Sequence, residues 1–398
     1  MPLDFTMPDE LKQIRASAEK MVRKFDPVIE QMRHDIHVNR RFPQELWDAA
    51  AEAGFLGALV PEAYGGTDIG ITAMGVAMET MTSHGLGNVL FVLTPMDALC
   101  ILRHGSEEMK KEYLPQIASG KLKFCFAITE PDAGSNTFRI TTHAKKDGDD
   151  YVINGQKTFI TGADVADYML LVTRTTPYED LKAKNLPKTH GFGLFIVPTN
   201  IKGLEKRKIP THGIEGMNQF TLFLDNVRLP ARSLVGQHDQ GFLPMFEALN
   251  PERILAGFSA SGSIDYLLSR AVKYAKERSV FGGKPIGAYQ GIQHPLAEIK
   301  IEAEAMRLMT YKAAWAYDAK LPATEVGTYA NYAKYLAAEI AIKAADRAIQ
   351  TMGGYGFSEE YGVIHHWTGM RLMRTAPVSK EMILSFVSEH ILGLPRSY

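Results

Sequence analysis

Four short stretches carry residue types and spacings that can do chemistry. In Phe126-Ala127-Ile128-Thr129-Glu130-Pro131-Asp132-Ala133-Gly134-Ser135-Asn136 a strand runs into a turn built on Pro131 and Gly134. Such a turn can offer backbone N–H groups and hydroxyls to a flat or anionic ligand, or be a turn and nothing more. In Lys157-Thr158-Phe159-Ile160-Thr161-Gly162-Ala163, strand alternation places the Phe159 ring and the Thr161 hydroxyl on one face. That face suits a planar ring system, although an ordinary core strand reads the same way. Gly353 and Gly354 let backbone amides approach a phosphate, or simply end a helix. Arg278 is a phosphate ligand or a solvated helix-end cation.

The elements that position these stretches divide the chain in three. Leu11, Ile14, Ala18 and Met21 recur at helical spacing, Pro43–Ala53 favours helix up to Gly54, and Ser106 caps a helix running toward Ile117. From Lys121, short apolar runs (KFCFAIT, YMLLVTRT, GFGLFIVP, QFTLFLDNVRLP) alternate with turn residues, which is hairpin chemistry. Residues 176–189 read as a polar loop between two strands. From Gly241 the helical period returns, with Leu296, Ile299, Ala303, Met306 and Ala313 on one face and an Ala-rich helix over 331–350. The expected architecture is α+β and multidomain: a helical domain at 1–120, a mostly antiparallel β domain at 121–238 and a helical bundle of four-helix type at 239–398.

The 398 residues are 45% apolar, ample for a large core, and the net charge of −1 argues against nucleic acid or a membrane surface as partner. The start, MPLDFTMPDELKQ, lacks the basic-then-apolar pattern of a signal peptide, and no run approaches the ~18–20 apolar residues of a bilayer span. A cytoplasmic protein is expected, with Cys100 and Cys125 as reduced buried thiols. His365 and His366 are adjacent, but no third ligand has useful spacing, so no metal is expected.

Taken together, AITEPDAGSN, GQKTFITGADVADYMLLVTRT, ERSVFGGKPIGAYQ and QTMGGYG resemble, in order, the signatures of the acyl-CoA dehydrogenase family over nearly the whole chain. The resemblance implies bound FAD, an acyl-CoA substrate, electron-transfer flavoprotein as electron acceptor and a homotetramer built as a dimer of dimers. It places Phe126, Ile128, Thr129, Gly134 and Ser135 along the flavin, with Ser135 also near the thioester, and Phe159, Ile160 and Thr161 beside the isoalloxazine. Phe159 stands where many members carry Trp, and Asn136 where Asp is usual. Arg278, Phe281, Gln290, Gln350, Gly353 and Gly354 would hold the adenosine diphosphate end of a neighbouring subunit's flavin, and Ser379 and Glu381 would be polar flavin contacts.

The family's reaction needs a carboxylate to take the α-proton. Laying the segment after the glycine turn on the family pattern puts Pro377 where many members carry that Glu, and Thr368-Gly369 where Arg-Asp is common. A second branch, isovaleryl-like and long-chain, carries the Glu early in the C-terminal domain, where this chain reads Leu249-Asn250-Pro251-Glu252-Arg253-Ile254. The match makes Glu252 the base and places Arg253 near the substrate. Asn250-Pro251 resembles an N-cap and first helical residue, which would set Glu252 in a first turn whose dipole weakens it as a base until a bound acyl chain excludes water. Beside the active dehydrogenase stand two other readings: a noncatalytic or half-site subunit of a hetero-oligomer, suggested by Pro377, and a flavin oxidase or monooxygenase acting on a substrate without CoA.

Overall fold

The computed structural model describes residues 5–214 and 216–397. Six helices come first: α1 (Asp9–Arg23), α2 (Ile29–His37), α3 (Gln44–Glu52), α4 (Gly70–Ser83), α5 (Leu90–His104) and α6 (Glu107–Ala118). The Ser106 hydroxyl accepts from the Met109 N–H, giving α6 the N-cap that its sequence announces.

Seven strands follow: β1 (Phe124–Ala127), β2 (His143–Asp147), β3 (Asp150–Thr161), β4 (Tyr168–Arg174), β5 (Phe192–Pro198), β6 (Leu204–Ile209) and β7 (Gln219–Pro230). They form one sheet in the order β1-β4-β2-β3-β7-β6, with β5 also on β4. Pairing is antiparallel except where β4 meets β1 and, at His143–Arg174, β2. The stretch expected to be a plain loop holds a short helix, α7 (Tyr178–Ala183), because Leu181 buries itself while the acidic Glu179 and Asp180 occupy the first turn.

The remainder is helical: α8 (Phe242–Glu277), a two-residue hairpin of β8 (Ser279–Val280) and β9 (Lys284–Pro285), α9 (Gln290–Asp318), α10 (Ala323–Met352), α11 (Val363–Leu372) and α12 (Lys380–Phe386). Leu296, Ile299, Ala303, Met306 and Ala313 are buried on α9, as their spacing predicts. Gly353 ends α10 at φ +59, a conformation that favours glycine. One core runs through the N-terminal helices, the sheet and the first turns of α8, and a second fills the space between α8, α9, α10 and α11. This is the helical, β, helical order expected. No helix among the described residues is long and apolar enough to cross a membrane.

Polar ties fix the N-terminal helices to the bundle. Buried Glu79 on α4 accepts from Ser261 of α8 (2.5 Å), Arg307 and Tyr311 of α9 (2.8 and 2.9 Å) and Arg15 of α1 (3.2 Å). The Asp318 carboxylate at the end of α9 accepts from the Ile71 and Thr72 N–H groups at 2.9 and 3.0 Å, supplying the start of α4 with donors' partners and a favourable charge. Close approach does the rest, because Gly75 lies against the Phe258 ring of α8, and Gly262 of α8 lies against the Glu79 carbonyl. A methyl group at either position overlaps those atoms, so Gly262→Ala is expected to cost about 1–3 kcal/mol of stability in thermal unfolding. The open site at Gly291, where nothing lies within 4 Å of an added Cβ, serves as the control that loses no stability.

Candidate active site

The first half of the site is made where three backbone segments are locked together. Glu130 and Lys157 are both buried and pair at 2.8 Å. Glu130 also accepts from the Thr141 N–H and hydroxyl (2.6 and 2.9 Å) and the Thr142 N–H (2.9 Å), and Lys157 Nζ donates to the Ile128 carbonyl at 3.0 Å. Burial alone would raise Glu130, but the Lys157 ammonium and these donors outweigh it and hold the carboxyl below its ordinary range. Burial pushes Lys157 down to about 8, against the pull of Glu130. The two partners thus point in opposite senses about the pair's worth, and Glu130's four donors decide that it stands ionised at neutral pH.

With that lock in place the Thr158 N–H reaches the Thr129 carbonyl at 2.8 Å, so 128–130 and 157–161 run side by side. The register of β3 on β7 shifts between Lys157 and Ile160, and Phe159 takes φ +55. This corrects the expected alternation: the Phe159 ring is 54% exposed while Thr161 is buried, so the two do not share a face. Phe126, Ile128 and Thr129 are half-buried beside this bulge, Ile160 is buried, and Gly134 and Ser135 are exposed in the following turn. An exposed aromatic ring held at a positive φ, flanked by half-buried apolar and hydroxyl side chains, fits one face of a planar heteroaromatic ring.

The second half lies in the helices. Helix α8 runs unbroken through Pro251, so Glu252 sits ten residues past its first residue, Phe242. The first-turn placement is therefore overturned, because Pro251 lies within a helix that α5 and α10 already support rather than starting one. Burial raises the Glu252 carboxyl, Arg253 and Lys334 oppose it, and the result stands at about 7. The carboxyl is therefore raised by the protein's own packing, without waiting for an acyl chain. Glu252 keeps an accessible edge, through which solvent tempers the shift. Arg253 donates to Asn250 Oδ1 at 3.0 Å.

Around Glu252 lie two groups that the sequence reading missed. Asp97 of α5 is fully buried with neither carboxyl oxygen hydrogen-bonded, and burial, then Glu252, pushes it well above the usual carboxylate range. Lys334 of α10 is also fully buried. A single Asp inside LFVLTPMDALCIL, and a single Lys on the Ala face of α10, were the available signals. Pro377 and Glu381 are exposed, and the Ser379 hydroxyl caps α12 by accepting from the Met382 N–H at 3.2 Å. His365 and His366 pack against His37 of α2 at ring distances of 5.4 and 4.9 Å; burial holds His37 down at about 3 and His366 well below its ordinary value, so those two act as neutral packing rings.

Arg278, Phe281, Gln290, Gln350, Gly353 and Gly354 are all exposed, far along the bundle. Tyr274 of α8 meets Tyr355 at 6.0 Å, bringing the end of α8 beside the end of α10.

Models of the N-terminal, middle and C-terminal domains of acyl-CoA dehydrogenases match residues 8–121, 125–227 and 239–392. The chain belongs to the acyl-CoA dehydrogenase family. Acyl-CoA dehydrogenase FadE12 of Mycobacterium tuberculosis is 46% identical over 357 residues, 89% of each chain. A glutaryl-coenzyme A dehydrogenase solved with glutaryl-CoA superposes with a TM-score of 0.90 at 31% identity, covering 99% of this chain and 98% of that one. A Mycobacterium smegmatis glutaryl-CoA dehydrogenase in complex with FADH2 gives 0.87 at 26% identity, with 98% and 96% covered. Acyl-CoA dehydrogenases are FAD-dependent oxidoreductases, and the bulge at Phe159 fits that cofactor.

The lock is the testable element of this half of the site. Lys157→Met leaves a buried carboxylate without its cation, which is expected to cost about 3–5 kcal/mol and to lower FAD content in parallel. Chemical denaturation and the flavin-to-protein absorbance ratio measure the two effects.

Proposed function

We propose that this protein catalyses the α,β-dehydrogenation of an acyl-CoA thioester with Glu252 as the base, and passes the electrons to an electron-transfer flavoprotein. The observation that carries the reading is the partly accessible carboxyl of Glu252, raised to about 7 on a helix that packs against the N-terminal helices. A general base works best when its pKa lies near the working pH. Its competitor after the glycine turn, Glu381, is exposed in the first turn of α12.

FAD, when bound, supplies the acceptor for the hydride leaving Cβ. In this reading Phe126, Ile128, Thr129, Gly134, Ser135, Phe159, Ile160 and Thr161 hold its ring system, and Ser379 and Glu381 lie at its edge. Ser135 and Arg253 orient the thioester while Glu252 takes the α-proton.

Arg278, Phe281, Gln290, Gln350, Gly353 and Gly354 then serve a neighbouring subunit's flavin. Glu252 and Arg278 stand 26 positions apart, the latter as C-cap of the same helix, or about 39 Å at 1.5 Å per residue. That separation argues against one dinucleotide spanning both within a chain. Phe281 is 97% exposed, and Ile301, Leu308 and Trp315 project from α9 at seven-residue intervals, an apolar stripe that calls for a covering subunit. We place the assembly, a homotetramer made of two dimers, in the cytoplasm as part of acyl-CoA breakdown; the buried thiols of Cys100 and Cys125, not joined in a disulfide, suit a reducing compartment. Pro377 favours one second reading, a half-site subunit of a hetero-oligomer, in which purified protein would hold FAD that no acyl-CoA bleaches.

Anaerobic mixing with a panel of acyl-CoAs should bleach the flavin. Because protonated Glu252 cannot accept a proton, kcat/KM should fall tenfold per pH unit below about 7 and level off above it. Glu252→Gln should keep its FAD and slow bleaching by ~10²–10⁴, while Glu381→Gln bleaches at nearly the wild-type rate. The reverse pattern would move the base to Glu381. For the assembly, light scattering should give four chains for the wild type and fewer for Leu308→Glu; a wild-type monomer with full FAD would contradict subunit sharing.

A further inference from the structure

Lys334 is an enclosed cation with no ion pair among the described residues. Its side chain on α10 is fully buried, and Nζ donates to the carbonyl oxygens of Met373, at 2.5 Å, and Val378. Those two carbonyls bracket the turn that leads from α11 to α12 and carries Pro377. Carbonyls satisfy an ammonium's donors without neutralising its charge. The charge must therefore be felt by whatever carboxylates lie nearby.

The charged groups around Lys334 can be named element by element. From α8 come Glu252 and Arg253, from α10 itself Glu339, and from α12 Glu381. Glu339 is committed to Arg374 at 2.7 Å and Lys380 at 3.2 Å, and Glu381 is exposed to solvent. Asp97 of α5 is a buried carboxyl raised well above its ordinary range, by burial first and by Glu252 second. A Cβ added at Gly327, two turns before Lys334 on α10, would meet the Asn250 side chain of α8 at 3.8 Å. The α10 face that carries Lys334 therefore packs on the turn of α8 that holds Glu252. The partly accessible Glu252 is the carboxylate left for the Lys334 charge, and no hydrogen-bond donor among the described residues competes for it.

We propose that Lys334 is a positioning residue for the dehydrogenation: its ammonium staples the Met373–Val378 turn onto α10 and, besides Arg253 on α8 itself, is the positive charge presented to Glu252 across the α8–α10 seam. This assignment rests on Glu252 being the base. Burial brings Lys334 down to about 8, one unit above Glu252, so most of the ammonium is still charged at the midpoint of Glu252 ionisation. The attraction acts on the carboxylate and disappears once the α-proton has been taken. Lys334 therefore favours the base-competent form at modest pH while making that base slightly weaker.

Two substitutions separate staple from charge. In Lys334→Gln an amide can still donate to both carbonyls but carries no charge, whereas Lys334→Arg keeps the charge. Infrared difference titration of FAD-loaded protein, each variant against the same variant carrying Glu252→Gln, isolates the Glu252 carboxyl without requiring turnover. The Glu252 midpoint should rise by about one pH unit in Lys334→Gln and stay at the wild-type value in Lys334→Arg. Flavin bleaching by acyl-CoA in Lys334→Gln should be about tenfold slower at pH 6 and recover to within about twofold above pH 8.5. An unmoved midpoint in Lys334→Gln, or an equal loss of rate at every pH, would reduce Lys334 to a structural staple and overturn the proposal. If Lys334→Gln fails to retain FAD, Lys334→Arg decides, because a raised midpoint in that charged variant is equally fatal. Wild-type flavin that no acyl-CoA bleaches would instead count against the dehydrogenase reading, which the carboxyl titration does not depend on.

Discussion

The β-domain half of the proposed site depends on a buried ion pair. Taking Glu130 and Lys157 out of water is costly, and such a pair persists only when its remaining lone pairs and protons are satisfied. Here they are: Glu130 gathers donors from Thr141, Thr142 and Lys157, and Lys157 spends a second proton on the Ile128 carbonyl. The pair joins the end of β1, the entry to β2 and the middle of β3 at one point. Because it fixes backbone rather than side-chain positions, the residues flanking it can be small or hydroxylated and still be held in place. The positive φ of Phe159, unfavourable for an aromatic residue, is tolerated because its neighbours on both sides are committed.

The helical half uses a different device. Among the described residues Glu252 is neither paired nor hydrogen-bonded; it is placed by a long helix, with the charges of Arg253 and Lys334 acting on it at a distance and the buried acid of Asp97 nearby. One half of the site is rigid through saturation of its hydrogen bonds. The other is kept unsaturated, which is what proton transfer would require of Glu252 in its proposed role as base.

Much of this was legible in the sequence, for identifiable reasons. The period of Leu296, Ile299, Ala303 and Met306 reports a buried face directly, and the strand runs between 121 and 230 are bounded by Gly, Pro and Asp in ways that admit few alternatives. What escaped was context. Asn250-Pro251 carries a helix-start signature, but the helix was already running, and tertiary support from neighbouring helices overrode the local signal. Lys157 in GQKTFITGA reads as a solvent-facing strand lysine, since nothing local reveals that Glu130, 27 positions earlier, arrives beneath it. The bulge at Lys157–Ile160 belongs to the pairing of β3 with β7, so no pattern confined to β3 could announce it. Asp97 and Lys334 were visible as charged exceptions on apolar faces, a signal of burial whose meaning only the third dimension supplies.

Helix α8 has a consequence for how such a chain can vary. Its 36 residues carry Glu252 and lead without a break to Arg278. It therefore behaves as a phase-locked shaft: inserting one residue between them would turn the far end by about 100° and advance it by about 1.5 Å. No adjustment of neighbouring side chains restores both orientations at once. Along this shaft only substitution is open to drift, and any change in chain length must be absorbed elsewhere, in surface connections such as the one that α7 interrupts between β4 and β5.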